Sequence, residues 1–81
     1  MAEPLTVTVT WDGARYLVAV TGADRASCAW DLKLHLRATW AHDVMGYSVS
    51  GRKANALRTW VEAWSVRGAV LRGTECLLGA T

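Results

Sequence analysis

Residues 5–11 alternate without a break, with Leu5, Val7, Val9 and Trp11 on one side and Thr6, Thr8 and Thr10 on the other. That two-residue period belongs to a strand with one dry face and one wet face. Asp12-Gly13 follows, a dipeptide that turns hairpins because both residues tolerate positive φ, and Tyr16, Val18 and Val20 resume the alternation. A two-residue turn pairs Val9 with Tyr16, whereas a four-residue loop pairs Val9 with Val18; either register keeps the apolar residues on one face. An N-terminal hairpin with one face to bury is predicted, and the rest of the chain has to cover it.

Thr21-Gly22-Ala23-Asp24 reads as a helix start, with Thr21 as N-cap and Asp24 in the first turn near the positive end of the dipole. The predicted helix runs to about Ala41. Cys28, Ala29, Leu32, Leu36 and Trp40 then make one apolar stripe, and Trp30, Leu34 and Ala41 make a second on nearly the opposite side. The first stripe suits the hairpin; the second has no cover of its own. Residues 30–37 also alternate as a strand would, Trp30, Leu32, Leu34 and Leu36 against Asp31, Lys33, His35 and Arg37. The segment's length and its start signal favour helix.

Tyr47-Ser48-Val49-Ser50 reads as a short strand or as an extended lead-in to a second helix that is capped by Ser50, begins near Gly51 and ends near Gly68. Leu57, Trp60, Val61 and Trp64 give that helix one apolar face. Residues 69–78 read either as a small hairpin or as a loose apolar tail. The expected fold class is α+β: one domain over residues 1–81, a two- or three-stranded antiparallel sheet packed against two helices, in the order β-β-α-β-α with a C-terminal extension.

Five tryptophans and no phenylalanine stand in these 81 residues. Each indole carries roughly 200 Å² of buriable surface, and a chain of this size buries only a little over about 60% of what its unfolded form exposes. Some indole surface is therefore expected to meet a partner. Position sorts Trp40, Trp60 and Trp64 into the core and Trp11 to the hairpin end, and leaves Trp30 on the uncovered stripe with Leu34. Trp30, Leu34 and Trp11 are the candidate interface residues, and a homodimer or higher oligomer is expected to use them or a sheet edge.

Composition narrows the function classes. Hydrophobic residues make up 52% and charged residues 20%, the profile of a folded soluble chain. No apolar run approaches a membrane span and Met1-Ala2-Glu3-Pro4 does not resemble a secretion signal, so a cytoplasmic protein with no membrane association is expected. In that compartment Cys28 and Cys76 are expected as thiols. Cys28, His35 and His42 recur every seven residues on one helical face, but helical rise separates neighbours by roughly 10 Å, too far to share a metal. No metal, no cofactor and, in the absence of a nucleophile or phosphate-loop motif, no catalytic residue is expected.

Charge is uneven. The net charge is +2, and residues 45–81 set only Glu62 and Glu75 against Arg52, Lys53, Arg58, Arg67 and Arg72. Ser50, Arg52 and Lys53 at a helix start form a candidate phosphate contact, which Arg58, Arg67 and Arg72 extend if they share a side. The leading expectation is a non-catalytic, self-associating interaction module of the kind an accessory or phage gene supplies to bind a host protein. The alternative is a nucleic-acid-binding regulator using the basic second half.

The preference for Arg over Lys, with much Ala, Gly and Val, looks like GC-rich coding, as in an actinobacterium or one of its phages. Asp12-Gly13, Tyr16, Val18, Val20 and Asp31-Leu32-Lys33 carry a further likeness: residues 11–36 resemble the N-terminal oligomerisation domain of the Lsr-type nucleoid-associated silencers of actinobacteria. The resemblance covers under a third of the chain. It implies a hairpin and helix that build a dimer. In that family a separate C-terminal domain places an Arg-Gly-Arg element in the minor groove of AT-rich DNA; here only Gly51-Arg52-Lys53 stands in that region, with no length for a linker and second domain. A dimerising module is implied more than DNA binding.

Overall fold

The structure, a computed structural model, describes residues 3–78. Strands β1 (Thr6–Trp11) and β2 (Arg15–Thr21) form the expected hairpin, with Trp11 opposite Tyr16 and Val9 opposite Val18, the register of the longer loop. Asp12 decides that register. Its Oδ1 accepts the backbone N–H of Ala14 and of Arg15 at 2.9 Å each, while its own N–H donates to the Arg15 carbonyl at 3.1 Å and Gly13 takes φ 100°.

Helix α1 (Arg25–Leu36) follows, so residues 30–36 are helical and not extended. Both predicted ends are corrected. Thr21 is not the cap: it still pairs with Thr6 in the sheet, the chain turns at Gly22 with φ 94°, and Asp24 flanks the helix in a left-handed conformation without a side-chain capping bond. Gly22 is required there, because a Cβ would run into the Pro4 carbonyl oxygen. The far end comes at Leu36 instead of near Ala41, where Arg37 turns left-handed (φ 53°) and Lys53 Nζ donates to the Leu36 carbonyl at 2.7 Å.

The residues released from that helix form β3 (Thr39–Ala41), which pairs with β4 (Gly46–Ser50). A single 3₁₀ turn, Gly51–Lys53, leads into α2 (Ala54–Val66), and the Ser50 side chain accepts the Arg52 N–H at 3.3 Å. The C-terminal segment is neither a hairpin nor a loose tail: β5 (Val70–Arg72) lies parallel to β1 and leads to the short helix α3 (Glu75–Leu78). Gly73 turns the chain between them with φ 71°, close enough to β1 that a Cβ would strike the Val9 carbonyl oxygen.

The fold is α+β, but among the described residues the sheet is five-stranded and mixed, in the order β3-β4-β2-β1-β5, and three α-helices accompany it. β3 was missed because three residues are too short to show a period, and β5, equally short, was expected only as one arm of a hairpin, not as a partner of β1. Val7, Val9, Tyr16, Val18 and Val49 from the sheet meet Cys28, Leu32 and Leu36 of α1, Leu57, Trp60, Val61 and Trp64 of α2, and Leu77 of α3 in one apolar cluster. All the helices thus lie on one side. The other side shows Thr6, Thr8, Thr10, Leu17, Ala19 and Ser48, and no described element covers it.

Candidate functional site

Between α1 and α2 lies a polar junction that sequence patterning did not reveal. Trp60 and Trp64 are buried as expected, one turn apart, their ring centroids 6.1 Å from each other. A buried indole leaves an N–H that needs an acceptor. Asp31 is that acceptor for both: its Oδ2 takes the Nε1–H of Trp60 and of Trp64 at 2.9 Å each. The other oxygen lies 2.9 Å from His35 Nδ1, which also sits 3.0 Å from the Asp31 carbonyl. Burial pushes the Asp31 carboxyl up, but the indole donors of Trp64 and Trp60, with His35 and Arg67, outweigh it and hold the group below the ordinary carboxylate range.

The Arg67 guanidinium lies 4.8 Å from the Trp64 ring, closing one end of the junction. An Asp–His pair beside a groove invites a catalytic reading, but Asp31 is engaged by two indoles. Thr59, the hydroxyl lining the same groove, donates to the Asn55 carbonyl at 3.1 Å instead of to His35. What this geometry does is tie the two helices together. The clue in the sequence was a pair of core-facing tryptophans with no polar partner on their own helix.

The other three tryptophans stand in solvent. Trp30 and Leu34 are 61% exposed each, Trp40 49% and Trp11 43%. Trp30 and Leu34 point away from the Cys28, Leu32 and Leu36 face of α1, and Lys33 Nζ stands 5.8 Å from the Trp30 ring centre. Trp40 corrects an expectation. Placed in the core on the premise of a longer helix, it instead occupies the middle of edge strand β3, its ring edge-on to Tyr47 at 5.2 Å. Trp40 and Tyr47 form one wall of a slot of about 270 Å³, which α1 completes with Arg25, Ala26 and Ala29. Trp11 packs on Tyr16 at 4.6 Å and lies over Gly51, where a Cβ would come within 3.0 Å of its ring.

The basic residues of the second half do not gather. Lys53 is spent on the end of α1, Arg58 bonds Asn55 Oδ1 at 3.0 Å and Arg67 covers Trp64. Arg52 is exposed beside the Ser50 cap, while Arg72 pairs with Thr8 at the far edge, turned to the uncovered side of the sheet. Ser50 uses its oxygen within its own turn.

Cys28 is buried in the core, where desolvation, with the Asp31 charge adding to it, pushes its thiol up to about 11. Cys76 is partly exposed and its Sγ donates to the Gly73 carbonyl at 3.2 Å; both cysteines are free. Among the described residues no three His, Cys, Asp or Glu side chains converge as a metal site would require, and no helix is long and apolar enough to cross a membrane. No protein-family model matches the chain, no curated protein matches it, and no solved structure matches it.

Proposed function

We propose that this chain is a non-catalytic, self-associating protein-interaction module. The observation that carries the reading is the division of its tryptophans: two are buried and bonded through Asp31, while Trp30, Trp40 and Trp11 remain in solvent around a core already closed. Exposed indoles at that density are unusual for a surface with no partner, and Trp is the side chain most enriched where partners anchor. The outer face of α1, with Trp30 and Leu34, contacts another protein. A second copy joins through a free strand edge, β3 or β5, whose backbone groups have no neighbouring strand on one side among the described residues.

Sedimentation velocity across the micromolar range tests the self-association. A concentration-dependent dimer that Trp40→Lys or Val70→Lys removes supports it. A species that remains monomeric at the highest concentration sinks it. The resemblance of residues 11–36 to a dimerising domain points the same way, but the reading does not depend on it.

A further inference from the structure

The self-association proposed above leaves a choice between two free strand edges, and the two are not alike. Resting on that reading, we infer that the β3 edge is the one used and that its occupant is a second copy of this chain. The second β3 lies antiparallel alongside the first, and a two-fold axis at Trp40 makes the two sheets one.

Strand edges that stay unpaired are guarded by charges, prolines or bulges. β5 ends in Arg72, whereas Thr39-Trp40-Ala41 carries no charge and no proline. Exposed apolar side chains gather at the same edge. Trp40 is followed, in the turn that leads to β4, by Val44 at 42% exposure and Met45 at 65%, while β5 has Val70 alone among the large exposed hydrophobics. Trp40 lies opposite Tyr47, and Tyr47 lies opposite the buried Val18, so all three side chains stand on the helix side of the sheet. A further strand beyond β3 continues that row.

Symmetry fixes the register. A two-fold axis normal to the sheet keeps the helices of both copies on one side, and it sets one residue opposite itself. Trp40 is the middle residue of β3, and only with Trp40 on the axis do all three residues pair, Thr39 opposite the partner's Ala41. The aromatic row then runs from Tyr47 through Trp40 and the partner's Trp40 to the partner's Tyr47. Charge agrees with that register independently. Arg37 stands three residues before Trp40 and Asp43 three residues after it, so antiparallel pairing brings each Arg37 alongside the partner's Asp43, once at either end of the pair. Arg37 is exposed and, among the described residues, makes no ion pair; the Asp43 side chain is 75% exposed and reaches Arg15 only at 3.8 Å. The edge is thus complementary to a copy of itself in both apolar surface and charge.

Charge reversal read by sedimentation velocity tests this, on variants that circular dichroism shows to be folded. Arg37→Glu sets two carboxylates together at both ends of the pair, and Asp43→Arg sets two guanidinium groups together; each should weaken the dimer about tenfold or more. An equal mixture of the two variants makes both ends complementary again and should restore the dimer of the parent chain, as should the double variant Arg37→Glu/Asp43→Arg. Val70→Lys, on the other edge, should leave the dimer as it is. A dimer that Val70→Lys removes, that ignores both reversals, or that the reversals weaken without recovery on mixing overturns the β3 pairing and leaves self-association standing. A parent chain that stays monomeric throughout the micromolar range overturns both.

Discussion

Trp64 donates its indole N–H to Asp31 Oδ2 across 2.9 Å, a bond that joins residues 33 positions apart and fastens α2 to α1. Trp60 donates to the same oxygen. One carboxylate therefore satisfies both buried indoles. Removing it strands two indole N–H groups, and a stranded buried donor costs about 1–3 kcal/mol. Asp31→Ala is expected to lower unfolding free energy by about 2–4 kcal/mol and Asp31→Asn, which keeps one acceptor, by about 1–2 kcal/mol. Urea titration measures both; a loss below about 0.5 kcal/mol for the alanine variant would show that water serves these indoles equally well.

The same carboxylate sets a pH dependence. Its folded value lies below the ordinary 3.8, so the stability it confers is complete above that value and is lost as pH falls through the lower, folded one. Asp12, held down by the backbone N–H groups of Ala14 and Arg15, acts in the same direction at the hairpin turn. Urea midpoints near neutrality and at about pH 3 should therefore differ more for the parent chain than for Asp31→Asn. Parallel curves for the two would remove Asp31 from the acid transition.

Tryptophan substitutions should fall into two groups. Trp60→Ala empties a core position and is expected to cost about 3–5 kcal/mol. Trp30→Ala removes an exposed ring and should change stability by no more than about 0.5 kcal/mol. Acrylamide quenching of the remaining fluorescence gives a second check, since Trp30→Ala should lower the accessible fraction and Trp60→Ala should raise it.

The two thiols should differ in reactivity. Cys28 is buried with its thiol raised to about 11, and Cys76, also raised by desolvation, is partly exposed on α3. With iodoacetamide in mild base, intact-mass spectrometry should show a single adduct on Cys76, with Cys28 labelled only once denaturant opens the core. Equal labelling of both in the native state would contradict the packing of α1.

What the sequence made legible was whatever repeats. The threonine alternation foretold the hairpin, and Leu57, Trp60, Val61 and Trp64 foretold the buried face of α2. Trp30 and Leu34 were separable from the core because they occupy the side of α1 opposite Leu32. The boundary at Leu36 was hidden, since neither glycine nor proline marks it: Arg37 adopts the left-handed conformation under tertiary contacts, Lys53 among them. That one misplaced boundary moved Trp40 from an edge strand into an imagined core. Asp31 was hidden for a different reason, because its partners lie 29 and 33 positions away and no local pattern announces them.

The parallel pairing of β5 with β1 brings Val70 beside Thr6 across nearly the whole chain. Closing so long a loop is the entropically dearest step in assembling the sheet, and only three residues hold the pair together. β5 is thus the strand set to detach while the rest stays folded. Its departure uncovers Thr6, Val7 and Thr8 and makes the six-residue β1 the border of the sheet in place of three-residue β5, a longer and more regular template. Another molecule's β5 would fit that vacancy in the same register, so exchange of C-terminal segments is a route open to the self-association proposed above.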